Sequence, residues 1–166
     1  MNSRVLFLLS VRRGFGHFMR CSNIADAIFA TKPNAEVVFC LRGMIPTDFV
    51  DSRIKYFSSP DRFDAALIDQ LLRRFRPELV VFDTMLPEPN VIPLLDSVKS
   101  VYIMRKCQRD KQLDILNSTT VRTFDSIVCP HASTEFGFKI PDDVLVKTTF
   151  VGPIVREPKP AETLAL

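Results

Sequence analysis

The sequence has no tryptophan, two histidines, two tyrosines and only five glycines in 166 residues. It also has no close cysteine pair. Cys21, Cys40, Cys107 and Cys129 stand 19, 67 and 22 positions apart, which excludes the paired-ligand spacing of zinc sites, and no metal site or cofactor is expected. Three of the four lie in or beside apolar runs, so the expectation is reduced, mostly buried thiols in a cytoplasmic protein, with a disulfide as the alternative. The apolar run RVLFLLSV over 4–11 is too short to span a bilayer, and no small-residue cleavage pattern follows it. The chain therefore reads as soluble and unprocessed. A strong charge excess is missing too: 22 basic residues oppose 19 acidic ones, for a net charge of +3 and a pI near 8.8. That argues against nucleic acid as a partner and leaves room for weak attraction to an anionic ligand or a membrane surface.

What is present is enough apolar material, 46% of residues, to build one ordinary domain. Short apolar runs recur along the chain at 4–10, 35–41, 78–83, 100–105 and 126–130. They are continuous rather than alternating, as strands buried on both faces are. Two weaker candidates lie at 53–57 and 148–152. Between them, Ile24, Ala27, Ile28 and Phe29 mark a helix over 17–32, and Phe63, Leu67, Leu71, Leu72 and Phe75 mark another over 62–76. Shorter helices are expected near 45–51, 88–96, 109–123 and 132–136. This alternation predicts an α/β three-layer sandwich: a mostly parallel sheet of about seven strands with helices on both faces. Ligands should then gather outside the carboxyl ends of the strands.

The corner after the first strand carries the most information. Gly14 and Gly16 fall where the chain turns into the first helix, a place suited to a negatively charged or hydroxyl-rich ligand. Met19 stands where a dinucleotide fingerprint needs a third small residue, and Cys40, Leu41 and Arg42 stand where a ribose-binding acid is expected, which argues against NAD and FAD. No Gly-Lys-Ser/Thr P-loop ending and no Gly-x-Ser-x-Gly elbow occurs. The corner reads GFGHFMR instead, Gly14 to Arg20. It places His17 in the first helical turn with Arg20 one turn on, where the helix dipole disfavours an imidazolium and leaves a base for a hydroxyl or water.

GFGHFMR behind an apolar strand, together with FVGPIVRE (Phe150 to Glu157), resembles the amino-terminal domain of GT-B glycosyltransferases. The similarity is to the lipid II-forming N-acetylglucosaminyltransferase and to related glycosyltransferases and sugar-nucleotide hydrolases. The resemblance implies a Rossmann-like domain over 1–155, one half of a GT-B fold, with 156–166 as a linker or tail toward an absent C-terminal donor-binding domain. It implies a nucleotide-sugar donor held mainly by that second domain, and a small-molecule or lipid-linked acceptor held by this one. By position, His17 is the implied catalytic base, Gly14 and Gly16 form the acceptor-side loop, and Arg20 braces the loop or meets a phosphate.

Other residues at the same sheet edge complete the candidate site. Asp83 and Thr84 end a strand, where the carboxylate would orient His17 or simply form a turn. Arg105, with Lys106 and Arg109, follows another strand and fits a phosphate or a solvated basic loop. His131 stands after the last confident strand, as a helix-start residue or a border of the cleft. Phe15 and Phe18, with Met19, would form an apolar lip for an acceptor or a docking face. His17 itself could be a capping residue without chemistry. Three functions remain open at this point: sugar transfer, nucleotide-sugar hydrolysis with His17 activating water, and a non-catalytic interaction domain of a two-chain transferase. The chain alone is expected not to turn over.

Overall fold

The computed structural model describes residues 3–12, 14–59 and 62–155; the tail 156–166 lies outside them. All seven apolar runs become strands. β1 (Arg4–Ser10), β2 (Glu36–Arg42), β3 (Ile54–Ser59), β4 (Leu79–Asp83), β5 (Lys99–Ile103), β6 (Ser126–Cys129) and β7 (Thr148–Phe150) form one sheet in the order β3-β2-β1-β4-β5-β6-β7. Every neighbouring pair is parallel, a stricter arrangement than the mostly parallel sheet expected. The two weaker candidates turn out to be the edge strands, where one side of the strand has no partner to bury it.

Continuous apolar runs are needed because side chains alternate between two covered faces. Leu6, Leu8, Val38, Cys40, Val80 and Phe82 enter one core. Val5, Phe7, Leu9, Phe39, Leu41 and Val81 enter the other. Burying each large side chain of this kind stabilises the fold by roughly 1.5–3 kcal/mol.

Among the described residues there are four α-helices: α1 (Gly16–Thr31), α2 (Ala65–Phe75), α3 (Arg109–Asn117) and α4 (Asp142–Leu145). The stripe that α1 buries is Phe18, Cys21, Ala25 and Phe29, not the Ile24, Ala27, Ile28 and Phe29 set that the pattern suggested. Ile24 and Ile28 flank the contact and Ala27 is exposed. Cys21 and Ala25 are small enough to let the helix approach the sheet closely, which a search for large apolar residues overlooks. The expected helices at 45–51, 88–96 and 132–136 are 3-10 turns over Thr47–Phe49, Pro89–Leu95 and Ser133–Glu135, and 109–123 divides into α3 and a turn at Thr120–Thr123. Pro93 inside the second of these turns lacks the N–H an α-helical ladder needs.

The strand order places β1 inside the sheet, between β2 and β4. The chain moves outward through β2 and β3, then returns to β4 on the other side of β1. Connections therefore diverge at the carboxyl ends of β1 and β4, and a crevice opens there.

Candidate active site

Both sides of that crevice carry chemistry. On the β1 side, Gly14 takes φ +115, a conformation that L residues with a side chain avoid. Phe15 caps α1 through its backbone, its carbonyl accepting from Met19 N–H at 2.8 Å. This turn sets His17 as the second residue of the helix, its side chain 23% exposed. On the β4 side, Asp83 is the last strand residue and is 0% exposed.

His17 Nδ1 lies 2.7 Å from Asp83 Oδ2. Arg20, one turn along α1, grips the same carboxylate: its Nε and Nη2 donate to Oδ1 at 3.1 and 2.7 Å, and Nη2 also reaches Oδ2 at 3.0 Å. Arg20 Nη2 and Thr84 Oγ1 lie 3.0 and 3.3 Å from His17 Nδ1. A guanidinium can only donate and a carboxylate only accept, so the proton on Nδ1 is assigned by its shortest contact: Nδ1–H donates to Asp83. Nε2 then carries the lone pair. The Asp83 carboxylate, buried away from water, has the Arg20 guanidinium as its paired charge.

Backbone geometry holds the carboxylate in place. Thr84 adopts φ +61, in the left-handed region, which bends the chain sharply as β4 ends. Such strain survives only where neighbours over-determine it. Here Thr84 N–H donates to Ile103 O at 3.0 Å, and the Tyr102 hydroxyl donates to Thr84 O at 3.1 Å. Burial pushes the Tyr102 phenol above its ordinary range, with the Asp83 charge adding to the effect. Burial, with a further contribution from Asp83, also pushes the Cys21 thiol well up, while Arg20 opposes the shift. Cys40 is pushed up to about 12 and Cys129 to about 11 by burial. All four cysteines are free thiols.

The remaining sequence candidates fall around this pair. Gly14, Phe15 and Gly16 are exposed along the turn; Phe15 is 50% exposed and leans on Phe49, ring centroids 5.8 Å apart. Phe18 departs from expectation. It is fully buried between Phe39 and Tyr56, because one residue's advance along α1 turns its side chain into the core, so only Phe15 and Met19 remain for an apolar lip. Arg105, Lys106 and Arg109 are exposed after β5, and no described contact joins them to His17. His131 pairs with Glu135 instead, Nδ1 to Oε2 at 3.1 Å. Among the described residues no three His, Cys, Asp or Glu side chains gather as a metal-binding group, and no helix is long and apolar enough to cross a membrane.

No protein-family model and no curated protein matches the chain. Solved structures do match its fold. A UGT transferase from Siraitia grosvenorii in complex with UDP superposes with a TM-score of 0.57 at 12% identity, over 97% of this chain and 54% of that one. A glycosyltransferase from Rickettsia africae superposes with a TM-score of 0.61 at 12% identity, over 91% and 43%. UGT2 of Phytolacca americana, complexed with UDP-2-fluoro-glucose and pterostilbene, superposes with a TM-score of 0.55 at 9% identity, over 95% and 56%. The chain has the fold of one part of a GT-B glycosyltransferase. It spans about half the length of these structures.

Proposed function

We propose that this chain is the acceptor-binding half of a glycosyltransferase, working with a donor-binding domain that holds a nucleotide sugar. The observation that carries the reading is the 2.7 Å contact between His17 Nδ1 and Asp83 Oδ2 at the strand switch point. It leaves Nε2 as the proton acceptor of the ring. Sugar transfer needs a base to take the proton from the acceptor hydroxyl as its oxygen attacks the sugar's anomeric carbon, and the nucleoside diphosphate then leaves with the bonding electrons. His17 takes that proton. Asp83 fixes the ring and its tautomer and steadies the imidazolium that forms. Arg20 balances the Asp83 charge and holds the carboxylate in position.

The likeness in fold to the UDP-bound plant enzymes supports a nucleotide-sugar donor as the second substrate. Exposed Phe15 and Met19 at the mouth of the turn suit an acceptor with an apolar part, whether a small molecule or a lipid-linked one. The chain is assigned to the cytoplasm, where a donor of this kind and four reduced thiols fit together.

The test is transfer by this chain combined with a donor-binding half, with His17→Ala beside the parent. A loss of 10²- to 10⁴-fold in kcat is expected, the range for a removed general base. Unchanged transfer by His17→Ala would remove the base assignment.

A further inference from the structure

Arg42 is the one strongly placed residue at the crevice that the proposed mechanism leaves unused. It ends β2, in register with Ser10 at the end of β1, so the two side chains leave the sheet on the same face. Its guanidinium reaches across the end of β1 toward the β4 side, where Nη1 meets the Met85 thioether sulfur at 3.9 Å. Sulfur is a weak acceptor, and this is a long contact. Arg42 Nε is shut off from solvent with no hydrogen-bond partner among the described residues. Five other arginines, Arg20, Arg53, Arg62, Arg73 and Arg122, pair with carboxylates, whereas no carboxylate pairs with Arg42 among the described residues.

A second arginine stands beside it. Gly43 takes φ +120, and a Cβ there would lie 2.9 Å from Val11 Cγ2 and 3.5 Å from Arg12 Cγ. The stem of Arg12 therefore runs against the residue that follows Arg42. The backbone around them is pinned: Val11 N–H donates to Arg42 O at 3.0 Å, and Gly43 N–H donates to Ser59 O at 3.1 Å. Two arginine backbones are thus pinned side by side, and no carboxylate pairs with either among the described residues, so this end of the sheet carries positive charge that suits an oxyanion. Met85 also places Arg42 relative to the base, since the next residue back, Thr84, has its hydroxyl 3.3 Å from His17 Nδ1.

We propose that Arg42, supported by Arg12 and the Ser10 hydroxyl, is an oxyanion subsite beside His17, and that the acceptor carries a carboxylate or phosphate close to the hydroxyl that reacts. The planar fork of Arg42 suits two oxygens of one group. The term acceptor rests on the transfer reading above; the anion site itself does not, and the test keeps the two apart.

The experiment is NMR titration of the full chain at constant ionic strength with inorganic phosphate and with lactate, which joins a hydroxyl to a carboxylate, using glycerol as the neutral control. Saturable shifts of the Arg42 Nε–H and Gly43 amide signals with both anions, and none with glycerol, are expected. Arg42→Gln should weaken both anions at least tenfold, and Arg42→Lys, which keeps the charge but loses the fork, several-fold. Binding to Arg42→Gln as tight as to the parent, or no saturation in the parent, would overturn the subsite. His17→Ala should leave anion affinity within about twofold, so a failed base assignment and a failed anion site give different results.

Discussion

At the scale of single residues, the account turns on one buried carboxylate serving two partners. Asp83 orients His17 and is itself neutralised by Arg20, whose side chain is only 13% exposed. The two partners answer to different measurements. Asp83→Asn leaves the Arg20 guanidinium without a counter-charge in a largely closed site, which costs on the order of 3 kcal/mol. His17→Ala removes a partly exposed ring and leaves the ion pair in place. In urea denaturation, Asp83→Asn should therefore lower stability by a few kcal/mol, while His17→Ala stays within about 1 kcal/mol of the parent. Equal losses from the two substitutions would contradict this division between a positioned base and its support. The GFGHFMR turn pointed to His17 and Arg20, and the end of β4 pointed to Asp83 and Thr84, because these residue types are uncommon beside apolar strands. The contact between Asp83 and His17, 66 positions apart, stands in the sequence only as an alternative to a turn-forming role, and nothing local specifies that Arg20 reaches the same carboxylate. Arg42 stands where a ribose-binding acid would mark a dinucleotide site, and no motif around it in the sequence points to an anion.

At the scale of elements, strand ends matter more than strand centres. The end of β4 is held by Tyr102 and by the bend at Thr84, and the start of β5 is tied to the approach to β6 by Asp125, whose Oδ2 accepts from Ser100 N–H at 2.7 Å and from Ser100 Oγ at 3.1 Å. The backbone hydrogen bond from Ser100 holds the Asp125 carboxyl below the usual range. A carboxylate depressed in the folded state adds stability above its unfolded value, near 3.9, and loses that contribution as pH falls through the folded value. Asp125 is exposed, so the effect is small. Asp125→Asn should cost about 0.5 kcal/mol at pH 7, and urea midpoints measured at pH 7 and pH 3 should show the gap closing in acid. A gap that widened in acid would reverse the assigned direction. The strands were readable because burial on both faces of a parallel sheet demands unbroken apolar runs. The short turns were not: α4 is four residues long and shows no period, and the proline within Pro89–Leu95 converts an apparent helix into a tighter turn.

At the scale of the whole molecule, the two faces of the sheet are covered unequally. Among the described residues, α2, α3, α4 and the turns at Pro89–Leu95 and Thr120–Thr123 contribute to one core, while α1 is the only α-helix in the other. The chain also spans about half the length of the glycosyltransferase structures whose fold it shares. The crevice supplies a proton acceptor, a balanced carboxylate and an arginine without a carboxylate partner, all groups suited to receiving an acceptor. The proposed function leaves stabilisation of a departing nucleoside diphosphate to a donor-binding domain, and on that proposal the isolated chain should form no product. The most direct measurement of this division is isothermal titration of the chain with UDP and a UDP-sugar. The account predicts no saturable heat from either nucleotide at millimolar concentration. Tight binding of UDP by this chain alone would put the donor site here and contradict it.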